Sequence, residues 1–234
     1  MNEAVKQYDR EDGSFLEIFV DENPENPREN GGNLGEMITF HGRYSIGDVH
    51  NYSSPGSFLT YLLTDPEGYY KLSEKLVDEL ATRQKVERIA KGPVILLPIY
   101  LYDHSIQHVS TASFHGRAHH AEWDSMQIGW IYTTPKMIRE CFGCKGINGT
   151  IKKRAIASLI AEVKLMDDYM SGSVYYYAET LSDDTVGDCC GGFYGTDVYD
   201  NGIYDSVSKE WQEAIDKVEG GKAHRRVSGF EYIG

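Results

Sequence analysis

No stretch of this 234-residue chain approaches 18 consecutive apolar residues, so the sequence holds no candidate membrane-spanning helix. Its first residues, MNEAVKQYDRED, lack the basic and then apolar layout of a signal peptide. A cytoplasmic protein is therefore expected, with its four cysteines reduced. Those cysteines are too irregularly spaced for a zinc knuckle. Cys141-Phe-Gly-Cys144 has a metal-type spacing, but Cys189 and Cys190 are adjacent. A four-thiolate site is thus disfavoured against buried thiols. The chain also lacks a Gly-x-Ser-x-Gly elbow, a phosphate-binding Walker loop, a zincin helix and a dinucleotide fingerprint. Those absences turn the reading away from the common enzyme classes. There is no internal repeat, low-complexity tract or linker, so a single domain is expected.

What the chain has in excess is acid and tyrosine. Residues 1–36 carry 10 acidic against 3 basic side chains, and residues 162–219 carry 14 against 3. Residues 37–161 hold 14 basic against 11 acidic, within a net charge of −13. Two acidic blocks flanking a near-neutral centre make bare nucleic acid a poor partner for the protein as a whole. A basic protein surface of the kind that holds DNA or RNA is a more natural one. The plainer alternative is that the acid keeps the protein soluble. Seventeen tyrosines, each an apolar ring with a polar tip, suit half-buried strands and contact surfaces.

Hydrophobic patterning predicts an α+β fold with a mixed or antiparallel sheet and four to five helices. Strands are expected at Phe15–Val20, Glu36–Tyr44, Val94–Tyr102, Gln127–Thr133 and Ser173–Leu181, with a small edge strand at Phe230–Ile233. Helices are expected at Ser57–Thr64, closed by a turn at Asp65-Pro66, and over Tyr69–Lys91. Another should begin at Thr134-Pro135, with Thr134 as N-cap and Pro135 in the first turn. Thr150–Met170 is the clearest, with Ile151, Ala155, Leu159, Val163 and Met166 in one stripe. Ser206–Val218 is the last, with Trp211, Ile215 and Val218 on one side. Pro98 inside the apolar strand calls for an edge position or a bulge. Residues 21–35 and 105–122 read as long surface loops. Gly187–Gly195 is glycine-dense and reads as a sharp turn carrying Phe193 and Tyr194 to the core. It holds Asp188 and no nearby cation, which makes it a poor phosphate cradle.

The segment Leu97–Tyr132 concentrates the chemistry, with five of the eight histidines. Asp103, His104, Asp124, His41 and Asp48 form the candidate catalytic set, since imidazole and carboxylate together can bind a divalent ion or hold a general base. The competing reading is a hydrogen-bonded structural corner, because Asp-x-Ser segments cap turns. His104, His115 and His119 are weaker metal candidates. His115 and His119 would share a face if they were helical, but Gly116 speaks against a helix. No other cofactor is indicated.

Three clusters occur together: NPRENGGNLGEMITFHGRYSIGD at 26–48, LPIYLYDHS followed by WDSMQIGWIY, and DCCGGFYG at 188–195. In order and spacing they resemble a family of proteins carried by phages, plasmids and some prokaryotic genomes. The resemblance spans most of the chain and implies no particular activity. It extends to Pro27, Arg28, Leu34, Gly35, His41, Arg43, Tyr44, Gly47 and Asp48. In the centre it covers Tyr102–Ser105, Trp123–Ser125, Gln127, Gly129, Ile131 and Tyr132, and at the end Asp188, Cys190 and Gly192–Gly195. His108, His115, His119 and His120 fall where the family pattern has no histidines, Cys189 stands where it has serine, and Gly191 where it has tryptophan. A zinc site needing Cys189 is therefore not a family property.

Together these observations predict an accessory protein of a phage or mobile element that binds a host macromolecule, in a counter-defence or host-takeover role. An acidic, tyrosine-rich face would imitate phosphates. The alternatives are a metal-dependent hydrolase or nuclease built on the Asp/His set and a phage structural or assembly protein. No membrane partner is expected, and self-association stays open.

Overall fold

The computed structural model describes residues 3–64, 67–70 and 72–221. In chain order the elements begin with β1 (Lys6–Asp9), β2 (Phe15–Val20), β3 (Glu36–Thr39), α1 (Pro55–Thr64), α2 (Glu74–Asp78) and α3 (Thr82–Ala90). There follow β4 (Ile95–Asp103), β5 (Gln107–Ser110), α4 (Ala121–Asp124), β6 (Ser125–Thr133) and α5 (Pro135–Phe142). The chain continues through α6 (Gly149–Met170), β7 (Val174–Thr180), β8 (Val186–Tyr194), α7 (Ile203–Ser206) and α8 (Lys209–Glu219). The fold is α+β. It has two four-stranded antiparallel sheets, β1-β2-β7-β8 and β3-β6-β4-β5. Among the described residues no helix is long and apolar enough to cross a membrane.

Two compact units organise these elements, one formed by Met1–Glu29 with Asp167–Gly234 and the other by Asn30–Met166. The first has the sheet β1-β2-β7-β8. Alternation along the strands turns Tyr8, Leu16, Ile18, Tyr177 and Phe193 to one side, where they bury with Ile203, Trp211 and Ile215. Trp211, Ala214 and Ile215 share one face of α8 through their helical spacing. Val218, expected on that face, is 65% exposed. It lies seven residues after Trp211, in the last turn before the Gly220 C-cap. Acids line the rim of this core. Tyr8 donates to Glu219 (2.8 Å), Tyr177 to Asp188 (2.8 Å), and Trp211 Nε1 to Glu179 (2.8 Å). Tyr199 and Tyr204 both donate to Asp216, each at 2.9 Å.

The second unit has the sheet β3-β6-β4-β5. Ile38, Trp130 and Tyr132 meet Phe58, Leu59, Leu62 and Leu63 of α1, with Val77 and Ile89 from α2 and α3. In α6 Ala155, Leu159, Val163 and Met166 are buried as the stripe predicts. Thr134 caps α5 by accepting from Met137 N (3.3 Å), with Pro135 in the first turn. Pro98 sits opposite Trp130 in a stretch of β4 that has only β6 beside it, because β5 pairs no earlier than Tyr100. A register shift follows at Ile99/Tyr100. The missing N–H therefore falls on a locally open edge next to a bulge, as prolines in sheets require.

The structure corrects several expectations. Gly187–Gly195 is no sharp turn. It lies almost wholly in strand β8, and Gly192 at φ +82° takes up the register shift opposite Tyr175/Tyr176. Phe193 is buried there, whereas Tyr194 is half-exposed and donates to Glu25 O (2.5 Å). The helix expected over Tyr69–Lys91 is two helices, α2 and α3, parted where Ala81 is extended at φ −64°, ψ 154° and donates its N–H to Gln84 Oε1 (3.0 Å). The stretch 105–122 expected as loop contains β5 and opens α4. The strand expected over Glu36–Tyr44 stops at Thr39. The turn at Asp65-Pro66 and the strand at Phe230–Ile233 lie outside the described residues.

Gly129 is the tightest point of the second sheet. A Cβ built on it would overlap the Ile38 carbonyl and Thr39 Cα across the β3–β6 pairing. Gly129→Ala must push the two strands apart. It should cost about 2 kcal/mol or more by the usual overpacking range, read as a lower urea midpoint with an unchanged slope.

Burial and a carboxylate acceptor hold phenols protonated here. Tyr199, buried and bonded to Asp216, and Tyr70, desolvated and bonded to Ile89 O, are both pushed up to about 12. The unfolded chain releases these protons near pH 10. Their contribution to stability is thus complete below pH 10 and is lost as the pH rises toward 12. The urea midpoint should fall across that window, and Tyr199→Phe should make the fall shallower.

Candidate functional site

The candidate residues of the second unit gather where β4 ends. The β4–β5 hairpin pairs Asp103 with Gln107, so residues 104–106 form its tip. Asp103 accepts from Gln107 Nε2 (3.0 Å) and Tyr44 OH (3.2 Å), and Arg43 Nη1 lies 3.6 Å from its other oxygen. His104 Nδ1 lies 3.1 Å from Asp124 Oδ2, joining the hairpin tip to the start of β6. With Nδ1 turned to Asp124, Nε2 is the other ring nitrogen, and the His104 side chain is 51% exposed.

Below this layer the corner is packed. Tyr102 is 2% exposed, lies 5.6 Å ring to ring from Phe114, and donates its O–H to His119 O (3.0 Å). That bond anchors the 105–122 connection to the sheet. His41 stacks on Tyr44 at 5.1 Å and accepts the Tyr44 N–H at Nδ1 (3.2 Å). His41 therefore reaches Asp103 only through Tyr44.

Asp48 does not join the group. Its Oδ2 accepts from Met37 N (2.7 Å) while its own N–H donates to Met37 O (2.8 Å), so it covers the outer edge of β3 as a strand would. His115 and His119 do not share a helix, since α4 begins only at Ala121. His119 and His120 rings meet at 3.8 Å with His120 at φ 54°. Among the described residues no three His, Cys, Asp or Glu side chains come together as a metal-ligating group. Of the cysteines, Cys141, Cys189 and Cys190 are exposed rather than buried, and Cys144 is half-exposed.

Sequence reasoning missed the partners. Arg43 and Tyr44 hold Asp103 from 59 or more positions away in the chain, which no local pattern reveals. Glu162 was also missed. It is 9% exposed and accepts the backbone N–H groups of Leu34 (2.7 Å) and Gly35 (3.3 Å), clamping the Asn33-Leu34-Gly35 segment onto α6. An acid next to the apolar stripe of α6 was the available signal. Trp123, one residue before Asp124, is 85% exposed, flanked in sequence by Met126 at 55%.

No family model matches the chain, and no curated protein or solved structure is significantly similar to it. Function therefore has to be argued from the geometry.

Chemically the corner contains one His–Asp pair and one carboxylate already held by a phenol, an amide and a guanidinium. The second set is scaffolding: it ties the 40s loop to the sheet. Asp103→Ala strips three donors of their acceptor and should cost roughly 1–2 kcal/mol. His104→Ala removes a half-exposed pair and should change stability by no more than about 0.5 kcal/mol. Urea titration of both variants checks the contrast, and a large loss for His104→Ala would show that the pair itself holds the corner.

Proposed function

We propose that this protein acts by binding, with the acidic unit as its contact surface and a basic, nucleic-acid-holding protein surface as its partner. The observation that carries this reading is where the charge lies. The unit formed by Met1–Glu29 and Asp167–Gly234 has 23 acidic against 8 basic side chains, a net of −15, whereas Asn30–Met166 has 15 basic against 13 acidic, a net of +2. Of the 22 acidic residues described in the first unit, 14 are exposed. Its exposed cations among those residues are Lys209 and Lys217. A field of one sign on that scale steers a basic partner and repels nucleic acid.

Carboxylates around Asp9, Glu11, Asp12, Glu210 and Glu213 line one cleft of this unit, between the β1–β2 turn and α8. They are spread over separate elements, as a phosphate-imitating surface needs. The resemblance to phage and plasmid proteins gives this reading its context, a counter-defence or host-takeover role in which a host DNA- or RNA-binding protein is occupied. The dyad of His104 and Asp124 is the basis of the rival, hydrolytic reading, which needs a metal or a second catalytic group to proceed.

Capture from a bacterial lysate on immobilised protein should enrich basic nucleic-acid-binding proteins at low salt and release them steeply between about 50 and 200 mM. A variant with Asp9→Asn, Glu210→Gln and Glu213→Gln should bind the captured partner at least tenfold more weakly. Capture insensitive to both salt and these substitutions overturns the reading.

A further inference from the structure

The near-neutral charge of Asn30–Met166 hides a local excess. Between Pro135 and Arg154 there are six cations, Lys136, Arg139, Lys145, Lys152, Lys153 and Arg154, against one acid, Glu140. All six are exposed. Lys136 shares a cleft with three acids, Glu36, Glu67 and Glu140. The other five have no ion pair among the described residues.

Two features set the three cations of α6 apart from a solvated basic face. Lys152, Lys153 and Arg154 sit in the first two turns of the 22-residue α6, which has no acid in its first turn. Cations there oppose the helix dipole, so helix stability does not explain them. Arg154 is also pre-positioned: its guanidinium lies 4.3 Å over the Phe142 ring, joining the start of α6 to the end of α5. The cation–π contact restrains the guanidinium, whose N–H groups remain suited to paired hydrogen bonds with an anion.

We infer that Arg139, Lys145, Lys152, Lys153 and Arg154 form a binding surface for the phosphate backbone of a nucleic acid. The chain's net charge argues against such a partner, but that charge is the sum of two units of opposite sign. Nucleic acid is favoured over an anionic membrane because no large exposed hydrophobic residue lies between Met126 and Ile160 to enter a bilayer interface. Recognition is of the backbone and therefore independent of base sequence. This inference stands apart from the proposed role of the acidic unit.

The test is fluorescence anisotropy of the full chain with short labelled duplex DNA and single-stranded RNA of mixed sequence, whose comparison shows which backbone is preferred. Binding to either should have a dissociation constant of roughly 10⁻⁴ to 10⁻⁶ M at physiological salt, with log affinity falling against log salt at a slope of up to about −4.5 for five contacts. The pair Lys152→Glu and Lys153→Glu should weaken it at least tenfold, and the pair Lys152→Gln and Lys153→Gln less so, with the circular dichroism of both variants unchanged. The acidic-unit variants Glu210→Gln and Glu213→Gln should leave it intact, so failure here and failure of the acidic-surface reading are separable. Three results overturn the inference: no binding at about 50 mM salt, binding unaffected by the Lys152/Lys153 reversals, or equal sensitivity of phosphatidylserine vesicles, or of self-association, to those reversals without nucleic-acid binding.

Discussion

The phenol hydroxyl donated to a carboxylate is the interaction on which most of this structure depends. It occurs at Tyr8–Glu219, Tyr44–Asp103, Tyr132–Glu36, Tyr177–Asp188, Tyr199–Asp216 and Tyr204–Asp216. Each bond lets a tyrosine bury its ring in a packed layer while its tip meets an acid at the rim. A hydrogen bond to a charged group is worth about 1.5–3 kcal/mol net. The acid and tyrosine excesses are therefore one feature. Burial drives the Tyr177 and Tyr132 hydroxyls strongly upward, and the acceptor carboxylates add to it. On the other side of the pair, burial pushes Glu219 up, but hydrogen bonds from Lys6 and Tyr8 outweigh it and leave the acid lowered.

Several contacts of the 34–48 segment and of β6 serve one short strand. β3 has only four residues and sits at a sheet edge, where an open row of N–H and C=O groups invites wrong pairing. Asp48 covers that edge at Met37, Gly129 lets β6 approach from the other side, and Tyr132 bonds across the pair to Glu36. Glu162 anchors the backbone just before the strand begins. Asp103 belongs to the same system, since Tyr44 and Arg43 tie the loop after β3 to the end of β4.

That division explains what was legible in the sequence. Helices with a long stripe or a chemical cap were plain, as in α6 and at Thr134-Pro135, because their signals are local. The strands β2, β4, β6 and β7 were legible from apolar or alternating runs. β1 and β5, four residues each, have too few positions to show a period. β8 was misread because its glycines signal a turn, while pairing to β7 supplies the order they lack. Of the candidate site, His104 and Asp124 lie 3.1 Å apart, where the end of β4 meets the end of α4. The placement of His41, Asp48 and Asp103 depends on contacts from distant parts of the chain, and spacing alone is silent about them.

Charge is where composition misleads most. A net of −13 describes neither unit, one being strongly acidic and the other slightly basic. Like charges crowded on a compact unit repel and oppose its folding, and the cations opening α6 oppose its dipole. The acidic unit leaves 14 carboxylates exposed among its described residues, and Arg139, Lys145, Lys152, Lys153 and Arg154 have no ion pair among the described residues. Neutral residues at the exposed Lys152 and Lys153 would ease the second strain without touching the core. On the two binding readings proposed above, the complement of these charges would be supplied by a partner. The corner at Asp103, whose charges are already answered from within, is the opposite case.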